Sequence, residues 1–137
     1  MKKLLFTIII LSLFSCSKET IILSEYDING VWTGSGDYSL SYLPEPVNMD
    51  IEFVFNNNEF IKFYHDVVGT IETLTDGKLI RTGNEIYIEI FKTSADGTNR
   101  SLLYTFTGSI LNESTIVGSL VLVWRDMGDN GDFILRK

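Results

Sequence analysis

From Ile28 onward, apolar and polar side chains alternate with a period of two, broken at short intervals by glycine, asparagine and aspartate. Met49, Ile51, Phe53 and Phe55 share one face, with Asn48, Asp50, Glu52 and Val54 on the other. Ile86, Ile88 and Ile90 alternate in the same way with Glu85, Tyr87, Glu89 and Phe91. Leu102, Tyr104, Phe106, Gly108 and Ile110 repeat the pattern, and Thr115 to Arg125 reads as one long strand. Successive strand residues point to opposite faces, so this is the signature of half-buried strands, and no helical stripe accompanies it. Asn56-Asn57-Asn58, Asp76-Gly77, Gly83-Asn84 and Ala95-Asp96-Gly97 supply the turns; Asp76-Gly77 in particular predicts a two-residue hairpin between Thr70–Thr75 and Lys78–Arg81. Asp126 to Gly131 reads as a loop, and Tyr42–Val47 and Asp66–Gly69 as the longer connections.

Eight or nine short antiparallel strands in series, almost all joined by tight turns, predict an all-β fold. A small up-and-down barrel hides its sheet edges and is the expected form, with a β-sandwich as the alternative. Trp32, Gly34, Gly36, Tyr38 and Leu40 share the inner face of the first strand, where the glycines permit bending and Trp32 serves as a core plug. Small barrels of this kind have interiors that side chains can fill.

The opening of the chain follows a different pattern. Lys2-Lys3 precede an apolar run from Leu4 to Phe14, about half of the roughly 20 apolar residues that a spanning helix needs. Small Ser15 and Cys16 follow. A basic start, a short apolar run and a small residue before a cleavage site make a signal peptide. The stretch resembles a bacterial lipoprotein signal with its lipobox, which implies cleavage before Cys16 and acylation of its sulfur, with palmitate-type chains. The expected organisation is a signal peptide over 1–15, a lipidated cysteine and tether over 16–27, in which Ile21-Ile22-Leu23 has the composition to dock as an added strand, and a β-domain over 28–137. The expected address is the bacterial cell envelope, lipid-anchored, with Ser17 compatible with the outer membrane and the domain facing the periplasm or the surface. Cys16 is the only cysteine, so no internal disulfide forms.

Gly30-Val31-Trp32 in the first strand resembles the lipocalin and avidin-like (calycin) barrels. Together with the Gly108, Gly118 and Gly131-Asp132-Phe133 strands it looks like the small lipocalin-like lipoproteins of Bacteroidetes-type bacteria. The resemblance covers about Asn29 to Lys137 and implies a barrel; no ligand residue is carried over from it.

Composition narrows the partners. The chain has 18 acidic and 11 basic residues among 137, a net charge of −7, and loss of Lys2 and Lys3 makes the mature domain more acidic still. Nucleic acid requires basic patches and is excluded as a partner. The membrane is reached through the lipid anchor. Six tyrosines, nine phenylalanines and two tryptophans supply a large aromatic content. Trp32, Tyr38, Tyr104 and Trp124 are the candidate ligand-binding residues, with Tyr42, Tyr64 and Tyr87 as further candidates to line a cavity. A filled core is the expected use of most of these rings.

Catalytic and metal chemistry finds little purchase. His65, the only histidine, is expected to be a solvated or hydrogen-bonded structural residue, because no nucleophile pattern accompanies it. One histidine and no spare cysteine argue against zinc. Asp126, Asp129 and Asp132, with Asn130, concentrate oxygens and form a weak calcium candidate without EF-hand spacing. Asp50, Glu52, Glu72, Glu85 and Glu89 alternate with apolar residues and are expected on outward faces rather than as a carboxylate pair. No cofactor is expected. The expected role is non-enzymatic: binding a small apolar ligand in the barrel. The alternatives are an interaction or inhibitory accessory subunit with a filled barrel, and, further off, a hydrolase.

Overall fold

A computed structural model describes residues 25–40, 43–124 and 127–137, of which 124 and 127–129 are described for the backbone alone. The signal run Leu4–Phe14, Cys16, Ile21–Leu23, Tyr42 and Asp126 lie outside the described residues, as do the side chains of Trp124, Met127 and Asp129.

The chain forms one antiparallel sheet of nine strands: β1 Gly30–Tyr38, β2 Val47–Asn56, β3 Glu59–Val67, β4 Thr70–Leu74, β5 Gly77–Thr82, β6 Glu85–Thr93, β7 Arg100–Asn112, β8 Thr115–Trp124 and β9 Met127–Arg136. Their order in the sheet is β4-β3-β2-β1-β9-β8-β7-β6-β5. Every pair but one is a sequence neighbour; the exception is β1 with β9, which joins the two ends of the chain over Thr33↔Arg136 to Tyr38↔Gly131. The sheet curls until the inner faces of β2 and β3 meet β7: Phe53 lies edge-on to Phe106 at 5.0 Å, and Phe63 lies 5.4 Å from it.

The hydrogen-bonded ladder is nevertheless not closed. β4 and β5 follow one another in sequence yet stand at opposite ends of the sheet order. The expected Asp76-Gly77 hairpin does not form. Instead the segment carries the chain across a seam: the Asp76 carbonyl accepts the Phe91 amide at 2.8 Å, and its carboxylate takes both Nε and Nη2 of Arg100, at 2.7 and 2.8 Å. Below this crossing the seam is filled by side chains. The Phe60 ring lies against Gly77, and Arg81 reaches Asn58 and the Tyr26 carbonyl. The architecture thus lies between the barrel and the sandwich that the alternation allows.

Three bulges add curvature, at Val54/Phe55, Ile90/Phe91 and Ile110/Asn112. Each inserts an extra residue that increases local twist. The core follows the sequence pattern. Trp32, Phe53, Phe55, Phe63, Phe106, Ile88, Ile90, Ile116, Leu120 and Leu135 are buried, each such side chain contributing about 1.5–3 kcal/mol by leaving water. Trp32 plugs the end at which the chain enters. Its indole nitrogen donates to the Ile28 carbonyl at 2.7 Å, and the Lys137 ammonium stands 5.6 Å from its ring.

Two further connections differ from expectation. Of the expected Asp126–Gly131 loop, the described part, Met127–Gly131, is strand: β9 begins at Met127, with Trp124↔Met127 and Leu120↔Gly131 in register. Gly131 serves a close approach of strands, since a Cβ on it would overlap the Asp37 carbonyl oxygen of β1. Asp66–Gly69 is not a long connection either. β3 runs to Val67, and Val68 and Gly69, both left-handed at φ 51° and 80°, turn the chain directly into β4.

Candidate functional cleft at the open end of the sheet

Above the Asp76 crossing, β6 has no β5 partner, because β5 begins at Gly77 opposite Ile90. β4 ends the sheet on the other side. Between these two edges lies a solvent-open cleft of about 590 Å³, lined by His65, Glu72, Lys92, Ser101, Leu102, Leu103, Tyr104, Leu122 and Val123. Its volume falls within the usual range of small-ligand sites, roughly 300–1,000 Å³.

The lining has a local cause. Leu102, Leu103 and Tyr104 all reach the cleft although they are consecutive. Ile90 pairs with Tyr104 and Phe91 with Leu102, so Leu103 is the extra residue of the bulge. Strict alternation would have sent it to the outer face. The apolar wall is completed by Leu122 and Val123 of β8.

The polar wall is a chain of three groups on three strands. His65 of β3 pairs in register with Glu72 of β4. Imidazole Nε2 lies 3.4 Å from Glu72 Oε2, and Glu72 Oε1 lies 2.7 Å from the Lys92 ammonium of β6. The Glu72–Lys92 pair spans the seam that the backbone leaves open. Exposure of these side chains is graded: 7 % for His65, 27 % for Glu72 and 52 % for Lys92. Lys92 is therefore the exposed partner, while Glu72 stands between it and the interior.

His65 is neither solvated nor satisfied. Its ring is stacked on Phe63 at 5.4 Å and meets the Tyr104 ring edge-on at 5.5 Å. Nδ1 has no hydrogen-bond partner, and the long 3.4 Å contact with Glu72 is all that Nε2 has. Burial holds the imidazole below its ordinary pKa of 6.5 against the opposing pull of Glu72, so the neutral ring dominates near pH 7. Burial also pushes the Tyr104 phenol well above its usual range, with the Tyr38 and Glu72 charges adding to the shift.

Among the residues singled out from sequence, Tyr104 lines the cleft. Trp32 and Tyr38 are buried in the core and do not line it. Glu72 corrects the expectation of outward carboxylates. Glu52 does face out, paired with Lys62 at 3.2 Å, and Glu85 accepts from Ser109 on the surface. In β4, however, the inward positions are Thr70, Glu72 and Leu74, while Ile71 is 63 % exposed. The strand is inverted at its open end, and its apolar residue misled the reading of its face. Asp132 is exposed on β9 and pairs with Asp37 and Ser119 in register. Among the described residues no group of three His, Cys, Asp or Glu is placed to hold a metal ion.

Comparison with protein-family models, with curated proteins and with solved structures gives no match. The functional reading therefore rests on the chain's own geometry.

Proposed function

We propose that this chain is a non-enzymatic, membrane-anchored envelope lipoprotein, lipocalin-like in design, that binds a small ligand with an apolar body in the cleft between β4 and β6. One observation carries the reading: a cleft of about 590 Å³ stands where the ladder is open, with leucines on one side and buried His65 and Tyr104 on the other. A filled core and a binding site coexist here. The aromatic cluster packs the interior below, and the mouth alone stays open. Anchoring through Cys16 suits this layout. Tyr26 to Asn29 pack at the Trp32 end, opposite the cleft, so a tether to the bilayer would leave the mouth on the far side.

Native mass spectrometry of the full chain, extracted from its own membranes, tests the reading. A non-covalent small mass is expected on wild type and absent from Leu103→Arg, which places a long charged side chain in the cleft. Wild type without any bound mass, and with no binding of an added apolar fluorophore, would refute it.

A further inference from the structure

The Glu72–Lys92 pair carries information about the ligand's polar end. Lys92 is an alkylammonium lying on a carboxylate at the rim of an apolar cleft, at 2.7 Å. It is half exposed and is the only cation that lines the cleft among the described residues. Released into water, it would keep its hydration at little cost, because exposed ion pairs contribute only about 0–1 kcal/mol. Glu72 cannot be released so cheaply. It is only 27 % exposed and stands between β6 and the buried imidazole.

From this asymmetry we infer that the cleft takes a cationic amphiphile, an alkylamine-headed small molecule whose ammonium displaces Lys92 from Glu72 while its tail lies along Leu102, Leu103 and Leu122. Lys92 then acts as an internal stand-in for the ligand's head and swings into solvent on binding. The long-range field agrees, since the chain carries a net charge of −7 and draws cations to its surface. An anionic head would have to take Lys92 and leave Glu72 half-buried without its cation, which costs more than freeing Lys92. Arg100, the neighbouring cation, is not available to an anion because Asp76 holds it in two hydrogen bonds.

This inference rests on the cleft being a binding site, and the test separates the two. Octylamine, octanol and octanoate are titrated calorimetrically into the full chain in phosphatidylcholine nanodiscs, with empty nanodiscs as reference. Octylamine is expected to bind most tightly. Lys92→Met, which removes the internal competitor, should tighten octylamine by about threefold, the scale of an exposed pair. Glu72→Gln, close to isosteric, should weaken it by about tenfold or more through loss of a charge-assisted hydrogen bond. Octanol binding as tightly as octylamine, or octanoate more tightly, or octylamine weakened by Lys92→Met, would overturn the cationic head while leaving the binding site standing. Absence of binding by all three probes would remove the site itself, and the inference with it.

Discussion

At the scale of single residues, the imidazole of His65 is a buried polar group left in debt beside the cleft, as Asn84 Oδ1 is elsewhere. A buried polar group without a partner costs roughly 1–3 kcal/mol, and His65 offers two such atoms. His65→Phe keeps a ring between Phe63 and Tyr104 and removes both. It is expected to raise stability by about 1 kcal/mol at pH 7, read as a higher denaturation midpoint. The pH dependence has a definite sign. The folded-state pKa lies below the ordinary 6.5, so at neutral pH the ring is uncharged in both folded and unfolded chains and costs nothing by titration. As pH falls below 6.5 the unfolded chain takes up the proton first, and wild type loses stability down to the folded pKa. The difference between wild type and His65→Phe should therefore widen between neutral and mildly acidic pH. A constant difference across that window would mean that the ring titrates alike in both states. Val68 is a second strained residue: β-branched, left-handed at φ 51° and 87 % exposed. Val68→Gly relieves the backbone and is expected to gain about 1 kcal/mol, measured as a rise in thermal midpoint.

At the scale of elements, the strands were legible wherever a single face is buried along the whole strand. β2, β6 and the lower part of β7 follow their alternation residue by residue. What alternation could not convey is what happens at bulges and at edges. The Ile90/Phe91 bulge puts Leu103 into the cleft wall, and β4, short and at a sheet end, exposes Ile71 while turning Glu72 inward. Both departures fall at the cleft, so the half of the site that is irregular was the half that the sequence hid. Tyr104, the last residue in regular register before the bulge, keeps the inward face that alternation gives it and lines the cleft. Gly131 misled in the opposite sense, because glycine marks close backbone approach as readily as a turn. Gly131→Ala tests that explanation. The added methyl would strike the Asp37 carbonyl, and the expected cost is about 2 kcal/mol or more. Hydrogen exchange should accelerate first in β1 and β9, where the strands are forced apart; uniform acceleration throughout the sheet would place the damage elsewhere.

At the scale of the whole molecule, the proposed anchor and the proposed site lie at opposite ends, and they separate experimentally. Cys16→Ala is expected to move the protein from the membrane to the soluble fraction and to abolish incorporation of a fatty-acid probe, with ligand binding unchanged. Membrane partition that persists without labelling would leave the lipobox reading without support. The open seam has one more consequence. Because β4 and β5 share no ladder, the stretch around Thr75 is the covalent thread between the two seam edges, and among the described residues β1–β9 is the only backbone ladder between the two halves of the sheet. Lys137 meanwhile lies against Gly30. A chain cut at Thr75, with its old terminus joined through a short linker to Asn29, would thus keep every paired strand it has now. The same nine strands would be threaded from seam to seam, and the mouth of the cleft would be flanked by the two new chain ends.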